Sequence, residues 1–164
     1  MSRKLSFLLT TTVVVLDVLT KRWAVAVLRP LTNMELIPGF LDLNYAENSG
    51  IAFGLFDRSD SAFKPLILMA LAGVAVLVVL FSMSRTPRDN RLQHFALAIL
   101  LGGIVGNFID RLTAGTVVDF VDLHWREAYH WPTFNLADAA ITCSVFVIVF
   151  ETVFGARNPA ATEH

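Results

Sequence analysis

Residues 106–141, GNFIDRLTAGTVVDFVDLHWREAYHWPTFNLADAAI, set four aspartates, Asp110, Asp119, Asp122 and Asp138, in and between two very apolar segments. A carboxylate in hydrocarbon costs roughly 2.5–3.5 kcal/mol at a helix centre on insertion scales. Acids kept in such a place point to a function, and the segments flanking them decide the fold. Upstream, 92–109 has no formally charged residue, and Gly102, Gly103 and Gly106 suit close approach of neighbouring helices. Downstream, Asp138 opens an apolar run that continues to about residue 154. Asn135 is the expected N-cap of that helix, which puts Asp138 in the first turn, where the helix dipole favours an anion.

Working outward, residues 65–84 (PLILMALAGVAVLVVLFSMS) also lack formal charge, and twenty residues at 1.5 Å each cover the ~30 Å hydrocarbon core. A further apolar segment runs from about 5 to 28 behind Arg3 and Lys4. Asp17, Lys21 and Arg22 separate its apolar run from the small-residue site Ala24-Val25-Ala26, so an uncleaved first span is expected rather than a removed signal peptide. Asp17 and Lys21 stand four residues apart and share a helix face, a mutually neutralised pair. Composition agrees: 55% of the 164 residues are hydrophobic and 16% charged, against ~25% in typical soluble domains. Mean hydropathy is +0.60. The net charge of -1 gives no footprint for nucleic acid. The single cysteine, Cys143, cannot form an internal disulfide and reads as a small buried hydrophobe.

The expected fold is an integral membrane, mainly α protein. It is a single domain over 1–164, with a four-helix bundle spanning at about 5–28, 65–84, 92–112 and 136–154. Arg3, Lys4, Arg85, Arg88, Arg91 and Arg157 then fall on one side, which the positive-inside rule makes cytoplasmic. The outer connections are about 29–64 and 112–135, and Asp110, Asp119, Asp122 and Asp138 all fall at that extracytoplasmic end of the bundle. In the first, Leu41, Leu43 and Tyr45 alternate with Asp42 and Asn44, the period of a strand with one buried face. Residues 47–50, ENSG, read as a turn, and a small extracytoplasmic β element is expected.

Peptide hydrolysis without a metal or a nucleophilic side chain requires an activated water. Two carboxylates sharing one proton supply it, because like charges a few ångströms apart cannot both ionise. Spacing alone does not choose the pair among these aspartates. Residues 124–130, HWREAYH, lack the H-E-x-x-H zinc spacing and read better as a loop resting Trp125, Tyr129 and Trp131 in the interfacial aromatic belt. No serine has a His/Asp arrangement to activate it. The other class of reading is a non-enzymatic membrane protein, an ion-coupled transporter subunit or assembly factor, with Asp17, Lys21 and Asp138 as a relay. The gathering of the acids at one face argues against it.

Five motifs in order, LDVLTK (16–21), NYAENSGIAFG (44–54), GGIVGNFIDR (102–111), VVDF (117–120) and FNLADAAI (134–141), resemble those of the lipoprotein signal peptidases, the bacterial signal peptidase II family of membrane aspartyl peptidases. The resemblance covers residues 16–142. It implies that Asp119 and Asp138 form the catalytic dyad, with no cofactor and no metal. It implies substrate-contacting roles for Asn48, Gly50, Gly54, Asn107, Arg111 and Asn135, and structural support from Asp17, Lys21 and Asp110. The implied substrate is a diacylglyceryl prolipoprotein, cut on the amino side of its lipidated cysteine. The implied setting is a monomer among the lipids of the bacterial cytoplasmic (inner) membrane, termini inside and site outside. Val18 and Ile51 depart from residues common in the family, Gln and a small Ala; the first bears on helix packing, the second on the shape of the substrate cradle.

Overall fold

The computed structural model describes residues 1–31, 33–50, 63–126 and 128–154. Helices occupy all four apolar segments: α1 (Arg3–Val27), α2 (Lys64–Arg85), α3 (Arg91–Ala114) and α4 (Leu136–Phe154). Their ends follow from local chemistry. The Ser2 side chain accepts from Leu5 N–H and caps α1, and Asn90 accepts from Gln93 N–H and caps α3. Pro65 sits in the first turn of α2, where a missing N–H costs nothing. Gly115, at φ 77°, ends α3 in the left-handed conformation that a side chain would strain.

Among the described residues three helices, α2, α3 and α4, are long and apolar enough to cross a membrane. Helix α1 matches them in length but carries Asp17, Lys21 and Arg22 within it. Helix α3 is central, packed on α1, α2 and α4. Its small residues make this possible. A Cβ at Gly102 would lie 2.7 Å from Val13 Cβ, and one at Gly103 would lie 2.7 Å from the Ala137 carbonyl oxygen. The outer faces stay apolar and exposed, as at Leu77 and Phe81 of α2 and Phe146 and Phe150 of α4. Cys143 lies on this exposed surface, not in the interior expected of it, because the apolar run around it faces outward over much of its circumference.

Between the helices lies one antiparallel sheet in the order β1 (Met34–Ile37), β2 (Leu41–Asn48), β3 (Val117–Trp125), β4 (Tyr129–His130). The expected strand at 41–45 is there and runs further. Glu47 and Asn48 pair with Val118 and Val117, so they extend β2 instead of forming the expected turn. A register shift between Leu43 and Ala46 interrupts the alternation. The stretch expected as a loop pairs instead as the β3–β4 hairpin, with His124 opposite His130 and Trp125 opposite Tyr129. Trp125, Tyr129 and Trp131 are exposed on it. Phe120 packs with Ala24 and Leu28 to seat the sheet on the end of α1.

Candidate active site

The last residues before α4 fold back on β3. Val121 N–H donates to the Phe134 carbonyl at 2.9 Å and Phe134 N–H to the Val121 carbonyl at 3.1 Å. This bridge places Asn135 next to Asp119, so the N-terminus of α4 meets the strand. Asn135 is fully buried. Its Nδ2 donates to Asp119 Oδ1 at 2.6 Å, while its Oδ1 accepts from Asp138 N–H at 2.9 Å. Asp138 Oδ2 accepts in return from Asn135 N–H at 3.3 Å. That reciprocal pair is a capping box with Asn and Asp in its two places. One side chain thus starts the helix, fixes Asp138 in its first turn and holds Asp119.

Each acid has a second donor. Asn48 Nδ2, at the end of β2, reaches Asp119 Oδ2 at 2.9 Å, and Asn107 Nδ2 of α3 reaches Asp138 Oδ1 at 2.8 Å. Asp119 is 2% exposed. Loss of water pushes its carboxyl up to about 6, and the neighbouring Asp138 charge adds to this against the opposing hydrogen bonds from Asn48 and Asn135. A group with that value holds or releases a proton near neutral pH, as a catalytic acid must.

Beneath the two carboxylates is a charged layer. Lys21 Nζ lies 2.7 Å from Asp17 Oδ2, 3.0 Å from Asp110 Oδ2 and 2.9 Å from Asn107 Oδ1. Asp17, fully buried, accepts from Ala137 N–H at 2.9 Å. It therefore supplies an anion to the same helix N-terminus that presents Asp138. Asp110 accepts from Val118 N–H at 3.3 Å, tying α3 to β3 beside Asp119. Gly106 leaves room for this layer: a Cβ there would stand 2.5 Å from Asp17 Oδ2. Arg111 donates to the Gly50 carbonyl at 3.0 Å and to the Asn107 carbonyl at 3.5 Å, which draws the segment after β2 towards the site. Gly50 N–H in turn donates to Asn48 Oδ1 at 2.9 Å.

Of the residues singled out from the sequence, Asp17, Lys21, Asn48, Gly50, Asn107, Asp110, Arg111, Asp119, Asn135 and Asp138 thus form one connected network. Gly54 and Ile51 lie outside the described residues. Asp122 does not join it. Its Oδ2 accepts from Asn44 Nδ2 at 3.0 Å, and its Oδ1 faces His124 and His130. Sequence reading missed two features: the grouping of Asp122 with both histidines, and Asp17 as an acceptor for α4. The first depends on the hairpin register, and the second on a contact 120 residues apart in the chain.

Residues 9–154 match the family model described as signal peptidase (SPase) II. The chain is 37% identical over 142 residues to the lipoprotein signal peptidase of Oleidesulfovibrio alaskensis, covering 87% of this chain and 90% of that one. It is 39% identical over 126 residues to that of Solibacter usitatus, covering 77% and 76%. A solved structure described as a bacterial membrane enzyme superposes with a TM-score of 0.84 at 28% identity, covering 99% of this chain and 95% of that one. A second so described gives 0.82 at 26% identity, covering 93% and 94%. A buried Asp119 and a partly buried Asp138, held by Asn48, Asn107 and Asn135 in a mainly helical chain, are thus found in a sequence that matches one family over most of its length: the chain belongs to the signal peptidase II family of membrane aspartyl proteases.

Proposed function

We propose that this chain removes the signal peptide from diacylglyceryl-modified prolipoproteins, cutting on the amino side of the lipidated cysteine, with Asp119 and Asp138 as the catalytic pair. The observation that carries the assignment is Asn135, which donates from its side chain to the Asp119 carboxylate and from its backbone N–H to the Asp138 carboxylate. Asp119, pushed up to about 6, holds the proton and gives it to the scissile carbonyl oxygen. Asp138 takes a proton from the attacking water. The tetrahedral diol then collapses as Asp138 returns that proton to the departing amine, and Asp119 regains its own from the diol. Arg111, Asn107 and Asn48 hold the peptide and the two acids in line, so little reorganisation accompanies the reaction. No step calls on a cofactor.

In this reading residues 1–164 are one peptidase domain and α1 is a fourth span. Its charges at Asp17 and Lys21 are neutralised within the bundle and do not face lipid. The arginines of the α2–α3 connection then lie in the cytoplasm with both termini, and the sheet and acids lie at the outer surface of the inner membrane. A monomer is sufficient, because every network residue described above comes from one chain. The substrate's acyl chains stay in the bilayer while its backbone reaches Asp119 and Asp138 from the side.

The test is cleavage of one prolipoprotein by purified protein in detergent, with and without its diacylglyceryl group. The lipidated form alone should be cut, EDTA should make no difference, and Asp119→Asn or Asp138→Asn should lower the rate by at least ~10³-fold. Cleavage by either variant near the wild-type rate would remove that aspartate from the chemistry.

A further inference from the structure

The β3–β4 hairpin gathers a second set of polar groups that the dyad does not use. Asp122, His124 and His130 each offer one ligand atom, and the three lie within 4.8 Å of one another. His124 Nδ1 is 3.9 Å and His130 Nδ1 3.4 Å from Asp122 Oδ1. Tetrahedral zinc with bonds near 2.0–2.2 Å needs ligand atoms ~3.3 Å apart, so small side-chain movements close the set.

A second observation points the same way. The His124 side chain is only 8% exposed, and its Nδ1 is buried without a hydrogen-bond partner. A buried ring nitrogen left in that state carries a desolvation cost that a metal ion would remove. The two imidazoles stack at 4.9 Å between centroids, 20° apart in plane. His130, whose side chain is 56% exposed, has the freedom to turn its nitrogen towards a shared ion. The other carboxylate oxygen, Oδ2, is already held by Asn44 Nδ2, which leaves Oδ1 to bind.

We propose that Asp122, His124 and His130 form a binding site for a divalent transition-metal ion, zinc foremost, on the extracytoplasmic sheet. Two imidazoles and one carboxylate suit zinc, nickel or copper and not magnesium or calcium. Asp122 bonds to Asn44 and to none of the residues that hold Asp119 and Asp138, so the ion takes no part in hydrolysis. Its effect is mechanical. β4 has only two residues and follows a turn in which Arg126 adopts φ 51°. An ion shared by His124 and His130 ties this short strand to β3 and orders the aromatic hairpin tip.

The experiment is titration of the full chain in detergent, free of any histidine tag and stripped with EDTA, with zinc chloride by calorimetry. Tryptophan fluorescence under nickel chloride, a paramagnetic quencher close to Trp125, is followed in parallel. One zinc ion per chain should bind and raise the unfolding temperature. His130→Ala, at an exposed position, should weaken binding by more than ~10-fold and abolish the nickel quench, while its unfolding temperature without zinc stays that of the wild type. Asp122→Asn should weaken binding similarly. Absence of saturable binding to the wild type, or equal binding by His130→Ala, would overturn the site.

Discussion

Asp119 is where local chemistry has the most direct consequence. Its carboxyl sits near 6 in the fold against an ordinary 3.8, so the folded chain binds more protons than the unfolded chain between those values. Stability from this group is therefore present in full below about pH 3.8 and is lost as pH rises through about 6. At ~1.4 kcal/mol per pH unit the loss is about 3 kcal/mol. Unfolding of wild type and Asp119→Asn should be compared from pH 4 to 7.5. The wild type should lose apparent stability relative to the variant across that window, and parallel curves would refute the shift. In the proposed mechanism the same proton is needed as an acid. We expect kcat/KM to fall as pH rises past about 6. The corresponding limb in kcat should sit higher, because bound lipid and peptide remove more water from Asp119. A profile flat from pH 5 to 8 would assign the acid elsewhere.

At the scale of elements, the site is a junction of five pieces joined by polar contacts. Helix α1 contributes Asp17 and Lys21, α3 contributes Asn107 and Asp110, β2 ends in Asn48, β3 carries Asp119, and α4 carries Asp138 behind its cap Asn135. Lys21 joins the first two: it is 3% exposed and touches Asp17, Asp110 and Asn107 together. Removing its charge leaves two acids near the protein interior without their cation. Lys21→Met should cost ~3–5 kcal/mol of stability. Cleavage should fall with it, as Asp17 and Asp110 release the α4 N-terminus and β3. The double variant Lys21→Met/Asp17→Asn should recover part of that stability, since it removes one of the unpaired charges. Thermal unfolding of both proteins in detergent checks this, and an additive double variant would mean that the two residues act separately.

For the whole molecule, the arrangement sets the acids at one end of the helices and the arginine-bearing α2–α3 connection at the other. This can be read with single cysteines in a Cys143→Ala background. Arg126→Cys in the β3–β4 turn should react with a membrane-impermeant maleimide added to spheroplasts. Arg88→Cys in the α2–α3 connection should react only after permeabilisation. Equal labelling of both from outside would reject the proposed orientation.

Much of this was legible in the chain. Four long apolar segments announce helices because a buried or lipid-facing backbone must satisfy its own hydrogen bonds, and their observed ends fall within two residues of the expected limits. Asn135 reads as a cap and Asp138 as a first-turn acid because capping is governed by residues three apart. What stayed hidden depends on register and on distant contacts. Glu47 and Asn48 look like a turn until β3 offers them partners. His124 and His130 look like separate loop residues until the hairpin sets them opposite each other. Cys143 looks buried because an apolar run has no visible inner face when lipid is the solvent. The four aspartates look alike in the sequence, and only the family resemblance prefers Asp119 to Asp122. In the fold the two differ by environment: Asp119 meets Asn48, Asn135 and the α4 N-terminus, and Asp122 meets Asn44 and two imidazoles. Local periodicity therefore specifies the helices, whereas the grouping of the carboxylates rests on where one strand meets one helix end.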